Sequence, residues 1–419
     1  MSAARSADES APDAVAAALA DAPFVRIVAR ADGDALAAAG LLARALRDVD
    51  VPFQVRVDPD PAAQAATAAD ELTLAVGATA PDAAHSLAAT DGAASVRAFA
   101  TARALGVEPD PVLGLAGAVA AGVTPGAAGS DALLAVAEER DLLERRPGVA
   151  VPTRDLGDGL AHSTLLHAPF SGAMERTRAV LADLDLPAEL DADAHRRVAS
   201  LAAVETVGAD GATPRSAEAV ERALRPYATP AGPFETVGGY ADVLGAVARE
   251  QPGTGVALAL GRATDAEGDG ASVAQAVRER ALDAWREHAL LAHTELRDAT
   301  TGRYDGLFVA RLDAAGDVGR LATAARLLRD FRSPEPVALV VSDGAAAVTR
   351  LDGEAATEAG VAGVHLGDVM ADAAATLVSN ADTDGDSTTQ ASGYGGPTHG
   401  EATFDADVTA FITAFREGL

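Results

Sequence analysis

The run FVRIVARADGDALAAAGLLARALR, residues 24–47, decides how the chain is read. Phe24–Ala29 (FVRIVA) is short, apolar and β-prone, as a buried strand is. Ala31-Asp32-Gly33-Asp34 carries turn residues, and Ala35–Arg47 is a small-residue apolar segment that predicts a well-packed helix. Downstream, Phe53–Val57 alternates as FQVRV and predicts a second strand. Thr73–Val76 predicts a third, ending at Gly77. Strand, helix, strand and helix at this spacing imply an α/β domain with a mostly parallel sheet.

Residues 1–20 read as a short frayed helix. From Ser95 to about Leu143 the pattern is helical, broken at Pro109/Pro111 and at Gly122–Gly129. Gly157–Phe170 reads as a loop with a short apolar run. Helices are expected over Glu175–Asp183, Asp193–Val207, Ser216–Leu224 and Gly239–Arg249, and a buried strand over Gly255–Leu260. Ser272–Arg297 reads as one long amphipathic helix. A second α/β pattern follows: strands at Gly306–Leu312, Val337–Val341, Ala346–Arg350 and Ala402–Phe404, with helices at Val318–Phe331, Val369–Val378 and the C-terminus. Asn380–Ser392 reads as a polar loop.

With 419 residues the chain has room for two or three domains. Apolar residues make up 49% and aromatics only 4%, so the cores must be built mainly from Ala, Val and Leu. The net charge is −29, from 33 basic and 62 acidic residues, and every basic residue is Arg. The apolar fraction is too high for a disordered acidic chain. The acids are scattered rather than clustered, which argues against a single basic partner. The reading that remains is a surface adapted to multimolar salt, where screening shrinks self-repulsion to a Debye length of about 3 Å. In that setting overall acidity does not exclude nucleic acid, although contacts must come from local Arg, backbone N–H groups and stacking. Without Cys there are no disulfides, thiolate metal sites or cysteine nucleophiles. No signal peptide or membrane span is read, and a cytoplasmic protein is expected.

Two segments carry candidate chemistry. In Val28–Ala35 an acidic residue stands at the end of an early strand, just before Gly33 and a helix. α/β proteins place their chemistry there, and a carboxylate can hold a divalent cation. The plainer reading is a turn with an N-cap. In Gly393-Tyr394-Gly395-Gly396-Pro397-Thr398-His399-Gly400 paired glycines can bring backbone N–H groups to a phosphate, with His399 as a further donor; the alternative is a flexible turn. His162 and His167 are five residues apart, not the four of a helical zinc pair. Asn380–Asp386 (NADTDGD) mimics a calcium loop, but its closing position is Ala391 rather than Glu. The Arg-bearing helix around 278–303 can face nucleic acid; with Glu279, Glu287 and Glu295 as partners, the plainer reading is a screened surface. P-loop, GxSxG and HExxH patterns are absent.

Taken together, the first two segments resemble the DHH phosphoesterase family, specifically its RecJ-like archaeal members. Ile27–Leu46 resembles the family's first motif, His-x-Asp-x-Asp-Gly followed by a small-residue helix; Asp32-Gly33 and Ala35–Leu46 match. Gly393–Ala402 resembles, with looser spacing, the Gly-Gly-His motif of the associated DHHA1 domain. The resemblance implies a DHH-like parallel-sheet domain over 1–175, a helical connector over 176–300 and a smaller α/β DHHA1-like domain over 301–419, with a cleft between the two α/β domains.

The motifs are eroded. In the family, two manganese ions held by acidic and His residues from four motifs activate water for attack on a phosphodiester. Here the motif's His position is Val28 and its first Asp position is Arg30, which leaves Asp32. The second motif appears as Ala75-Val76-Gly77. The Asp-His-His signature is absent; Ala83–Ser95 offers only His85 and Asp91. A fixed cation at position 30 repels a divalent ion. The resemblance therefore implies a protein without the two-metal centre, needing no cofactor, and acting as a replication or repair factor. Its expected partners are single-stranded DNA, a GINS-type or replicative-helicase complex, or a RecJ-like paralogue. Asp32 would be a catalytic remnant, with Arg30, Gly33, Gly395, Gly396 and His399 contacting substrate. Two alternatives stay open. One is a manganese-dependent nuclease or phosphoesterase with a rearranged site using His85, Asp91 or His162. The other is a mononucleotide-binding protein using Gly395 and Gly396.

Overall fold

The computed structural model describes residues 11–65, 71–88, 92–261, 269–313, 316–384 and 389–419. In chain order its elements begin with α1 (Pro12–Asp21), β1 (Val25–Arg30), α2 (Gly33–Asp48), β2 (Phe53–Asp58), α3 (Pro61–Gln64), β3 (Leu72–Val76) and β4 (His85–Leu87). They continue with α4 (Ala94–Ala104), α5 (Pro111–Ala120), α6 (Asp131–Glu139), β5 (Glu144–Arg145), α7 (Leu156–His162), α8 (Met174–Ala182), α9 (Ala192–Val207) and α10 (Arg215–Glu221). Next come β6 (Tyr227–Ala228), α11 (Val237–Glu250), α12 (Pro252–Ala259), α13 (Asp269–Asp298), β7 (Thr300–Tyr304), β8 (Leu307–Arg311) and α14 (Val318–Leu327). The chain closes with β9 (Val337–Ser342), β10 (Ala345–Arg350), α15 (Gly353–Glu358), α16 (Leu366–Asp384), β11 (Ala391–Gly395), β12 (His399–Phe404) and α17 (Val408–Gly418).

These elements form two compact units. The first comprises the chain through Leu165, Leu181–Ala199 and Arg222–His288. The second comprises Leu166–Val180, Ser200–Glu221 and Ala289–Leu419. The stretch 176–300, read as a connector, is thus apportioned to both units.

The first unit holds a four-stranded sheet in the order β2-β1-β3-β4. All three pairings are parallel; α2 carries the chain from β1 to β2, whereas β3 passes to β4 through a short loop without a helix. α2 follows β1 directly, and thirteen of its sixteen residues are buried, so it is apolar nearly all round. Ile27, Leu36, Leu42, Leu74 and Trp285 belong to one continuous core. The second unit holds a six-stranded sheet, β11-β12-β10-β9-β8-β7, antiparallel except for β8 beside β9. Its core joins Leu339 and Val348 to Met370 of α16 and to Phe404, Phe411 and Phe415. The α/β class and the two sheet-bearing parts agree with the sequence reading.

Several elements differ from that reading. Gly255–Leu260 is not a strand; the run is helical within α12, where Pro252 starts the helix and Ala and Leu outweigh the single β-branched Val256. Gly157–Phe170 opens with helix α7, because the Asp155 carboxylate accepts the N–H groups of Gly157 and Asp158. β4 lies inside the segment expected to carry the Asp-His-His signature. Asn380–Asp384 continues α16 rather than opening a calcium-type loop, and 385–388 lie outside the described residues. Asp91 and residues 1–10 also lie outside them.

Candidate functional site

The end of β1 and the start of α2 place Arg30, Asp32 and Asp34 together. Asp32 is extended, with φ −144° and ψ 166°, and caps α2: its Oδ1 accepts the Ala35 N–H at 2.9 Å. Its Oδ2 accepts from the Arg30 Nε. Burial pushes the Asp32 carboxyl up, but the Arg30 guanidinium, the Ala35 N–H and Arg249 together outweigh it and hold it below the usual carboxylate range. Gly77, at the end of β3, closes the other side. Its φ is +83°, and a Cβ there would lie 2.7 Å from the Ala35 Cβ and 3.1 Å from the Arg30 Cβ. The eroded second motif therefore does reach the first, as backbone and without a ligand.

Sequence reasoning places Asp34 in a turn and gives it no role of its own. It is buried, and its two oxygens accept the N–H groups of Ala94 at 2.6 Å and Ser95 at 2.9 Å, the first turn of α4. Burial, reinforced by the neighbouring negative charge of Asp32, pushes its carboxyl up to about 6. Asp34 thus ties α2 to α4 as a long-range helix cap.

This donor set does not fit a pair of divalent ions. Both oxygens of Asp32 and both of Asp34 already accept hydrogen bonds from protein groups, and one of those donors is a guanidinium. Among the described residues, no group of three or more His, Cys, Asp or Glu side chains could hold a metal ion. His85 starts β4, in register with Leu74.

The remaining candidates are built into other networks. The His162 Nδ1 lies 3.0 Å from the Asp158 carbonyl oxygen, and the ring meets the edge of Trp285. Asp158 is held in a two-point pair by Arg286, at 2.9 Å on each oxygen. Beside them, buried Asp242 accepts from Trp285 Nε1 at 2.9 Å and from the Thr164 N–H at 2.9 Å. His288 pairs with Glu250 at 2.8 Å. Sequence reasoning missed this polar network. Its signal was one acid inside an apolar helix pattern, Asp242 in VGGYADVLGAVARE, together with the chain's single Trp. His167 belongs to the second unit, stacked on His293 with their Nδ1 atoms 2.9 Å apart.

The Gly393–Gly400 run forms a hairpin of β11 and β12 in the second unit, whereas Asp32 belongs to the first. A Cβ at Gly393 would lie 2.2 Å from the Met370 carbonyl oxygen, and one at Gly400 would lie 2.6 Å from the Met370 Cγ. The glycines thus let the hairpin lie against α16. The Gly396 N–H donates to the His399 carbonyl at 2.9 Å, so this member of the expected phosphate cradle is spent within the turn. Gly395 pairs with Gly400 in the ladder. Arg350 is buried and, among the described residues, donates only to carbonyls, including Pro397 at 3.0 Å and Val364 at 3.1 Å. It clamps the turn from beneath.

Residues 299–417 match the family model described as "Uncharacterized protein rrnAC1427, C-terminal domain". The chain is 48% identical over 415 residues to uncharacterized protein rrnAC1427 of Haloarcula marismortui, covering 97% of this chain and 96% of that one. Among solved structures, it is similar to RecJ of Thermus thermophilus in complex with Mn²⁺, with a TM-score of 0.52, 16% identity and 97% of this chain covered. It spans about half of that RecJ chain, 54%. It is also similar to CDC45 of Entamoeba histolytica, with a TM-score of 0.54, 8% identity, and 97% of this chain and 98% of that one covered. The fold is thus RecJ- and CDC45-like. Among the described residues, no helix is long and apolar enough to cross a membrane.

Proposed function

The chain belongs to the family of Haloarcula marismortui rrnAC1427, and from that premise we propose that it is a DHH-type protein that has exchanged two-metal hydrolysis for a binding role in DNA replication or repair. The observation that carries this reading is the Arg30–Asp32 ion pair at the strand end where the resemblance expects metal ligands. A guanidinium bonded to the one retained carboxylate supplies internally the positive charge that a divalent ion would bring. It also occupies the oxygen that such an ion would need. Asp34 is committed to capping α4 and provides no replacement. With hydrolysis gone, the retained fold serves contacts: to single-stranded DNA, to a GINS-type or helicase complex, or to a RecJ-like paralogue.

The test is a nuclease assay in multimolar KCl with added Mn²⁺, on end-labelled single-stranded DNA and RNA, with Asp32→Ala alongside. The expected result is no degradation above the protein-free control for either protein. Mn²⁺-dependent cleavage that Asp32→Ala abolishes would sink the reading and make Asp32 a ligand of a working centre.

A further inference from the structure

We propose that a groove of about 760 Å³ in the first unit, walled by Arg146, Arg154 and Arg278, recognises the phosphates of single-stranded nucleic acid. The proposal rests on the binding role above and places it at a surface remote in sequence from the Asp32 segment. The groove has the size of a small-ligand site, and Pro230 and Pro233 give it apolar faces.

Its charge runs against the rest of the molecule. The whole chain has 33 basic residues against 62 acidic ones, whereas residues 140–154 carry Arg140, Arg145, Arg146 and Arg154 against Asp141 and Glu144. The groove itself presents three Arg against Glu144 and Glu235.

The three guanidiniums are held differently. Arg278 is fixed: its Nε donates to the Pro233 carbonyl, and its guanidinium lies 5.8 Å from the centre of the Phe234 ring. Arg154 is 87% exposed and, among the described residues, is bound only to Glu235, at 3.0 Å. Such a surface pair is worth little and is easily exchanged for a phosphate. Arg146 has its backbone N–H anchored on the Pro226 carbonyl at 3.2 Å, while its guanidinium has no ion pair among the described residues. One fixed and two available forks can grip phosphate oxygens at two points each. Such short-range contacts persist in concentrated salt, where long-range attraction is screened.

The test is fluorescence anisotropy of a labelled oligothymidylate against the full chain, in KCl stepped through the molar range without divalent ions. Arg146→Gln/Arg154→Gln is measured beside the wild type, with thermal melting by circular dichroism as the check on folding. The double variant is expected to melt like the wild type and to bind at least tenfold more weakly. Its slope of log affinity against log salt should be shallower by about 1.4, at about 0.7 for each phosphate that the variant no longer neutralises. Equal binding by wild type and double variant would overturn the groove assignment while leaving the binding role intact. Displacement of the strand by polyglutamate or by a free mononucleotide as readily as by unlabelled strand would reassign the groove to an acidic peptide or a nucleotide. No binding by the folded wild type would overturn both the groove and the strand-binding arm of the proposed function; the nuclease assay is unaffected by that result.

Discussion

Asp34 illustrates how one side chain can serve two opposed demands. Its carboxylate caps α4 through two backbone N–H groups, yet burial and the charge of Asp32 push its titration up to about 6. A carboxyl raised in the native state binds its proton more tightly there than in the unfolded chain. Its contribution is therefore full below about pH 4 and is lost as pH rises towards 6. Relative to Asp34→Asn, the wild type should lose up to about 3 kcal/mol of stability between pH 4 and pH 6.5, read from denaturant unfolding at each pH. A difference that stays flat across this window would contradict the assignment. Arg350 makes a simpler case. Arg350→Ala strands several carbonyls of the hairpin turn, and a loss of about 2–4 kcal/mol is expected by the same measurement, with Arg350→Lys restoring only part of it. At this scale the sequence discloses Asp32 and Gly33, because a strand, a turn and a helix are contiguous. It does not disclose the partners of Asp34, which are about 60 residues away, or those of Asp158, whose partner Arg286 is 128 residues on.

At the scale of elements, legibility follows burial. β1 and α2 are readable because a strand and a helix buried nearly all round need continuous apolar runs. Gly255–Leu260 is equally apolar and shorter, and periodicity alone cannot separate a short buried strand from a buried helix. The Gly393–Gly400 run stands out for its glycines, but these answer to close packing of the hairpin against α16. Nothing in the spacing of His162 and His167 signals that the second stacks on His293. That stacked pair has a measurable consequence. Burial, helped by Arg332 and Arg297, pushes the His167 titration down to about 3. A histidine depressed in the native state stabilises it fully above about pH 6.5, and the contribution is lost as pH falls from there. Between pH 6.5 and 4.5 the wild type should lose about 2–3 kcal/mol relative to His167→Gln, at about 1.4 kcal/mol per pH unit. Parallel unfolding curves for the two proteins across that range would refute it.

At the scale of the whole molecule, a net charge of −29 makes the folded state repel itself. Raising KCl from 0.1 M to 1 M shortens the Debye length from about 10 Å to about 3 Å, so the melting temperature should climb over that range and NaCl should act nearly as well. A melting temperature indifferent to salt would show that the acids are neutralised locally rather than by screening. The two units alternate along the polypeptide, which governs how the chain can be made. The polypeptide changes unit at Leu165, Val180, Ala199, Glu221 and His288, so a ribosome has delivered parts of both before the first is complete. No single cut releases either unit whole. A gene fragment covering 299–417, the stretch that matches the C-terminal family model, would leave behind Leu166–Val180 and Ser200–Glu221, which belong to the same compact body.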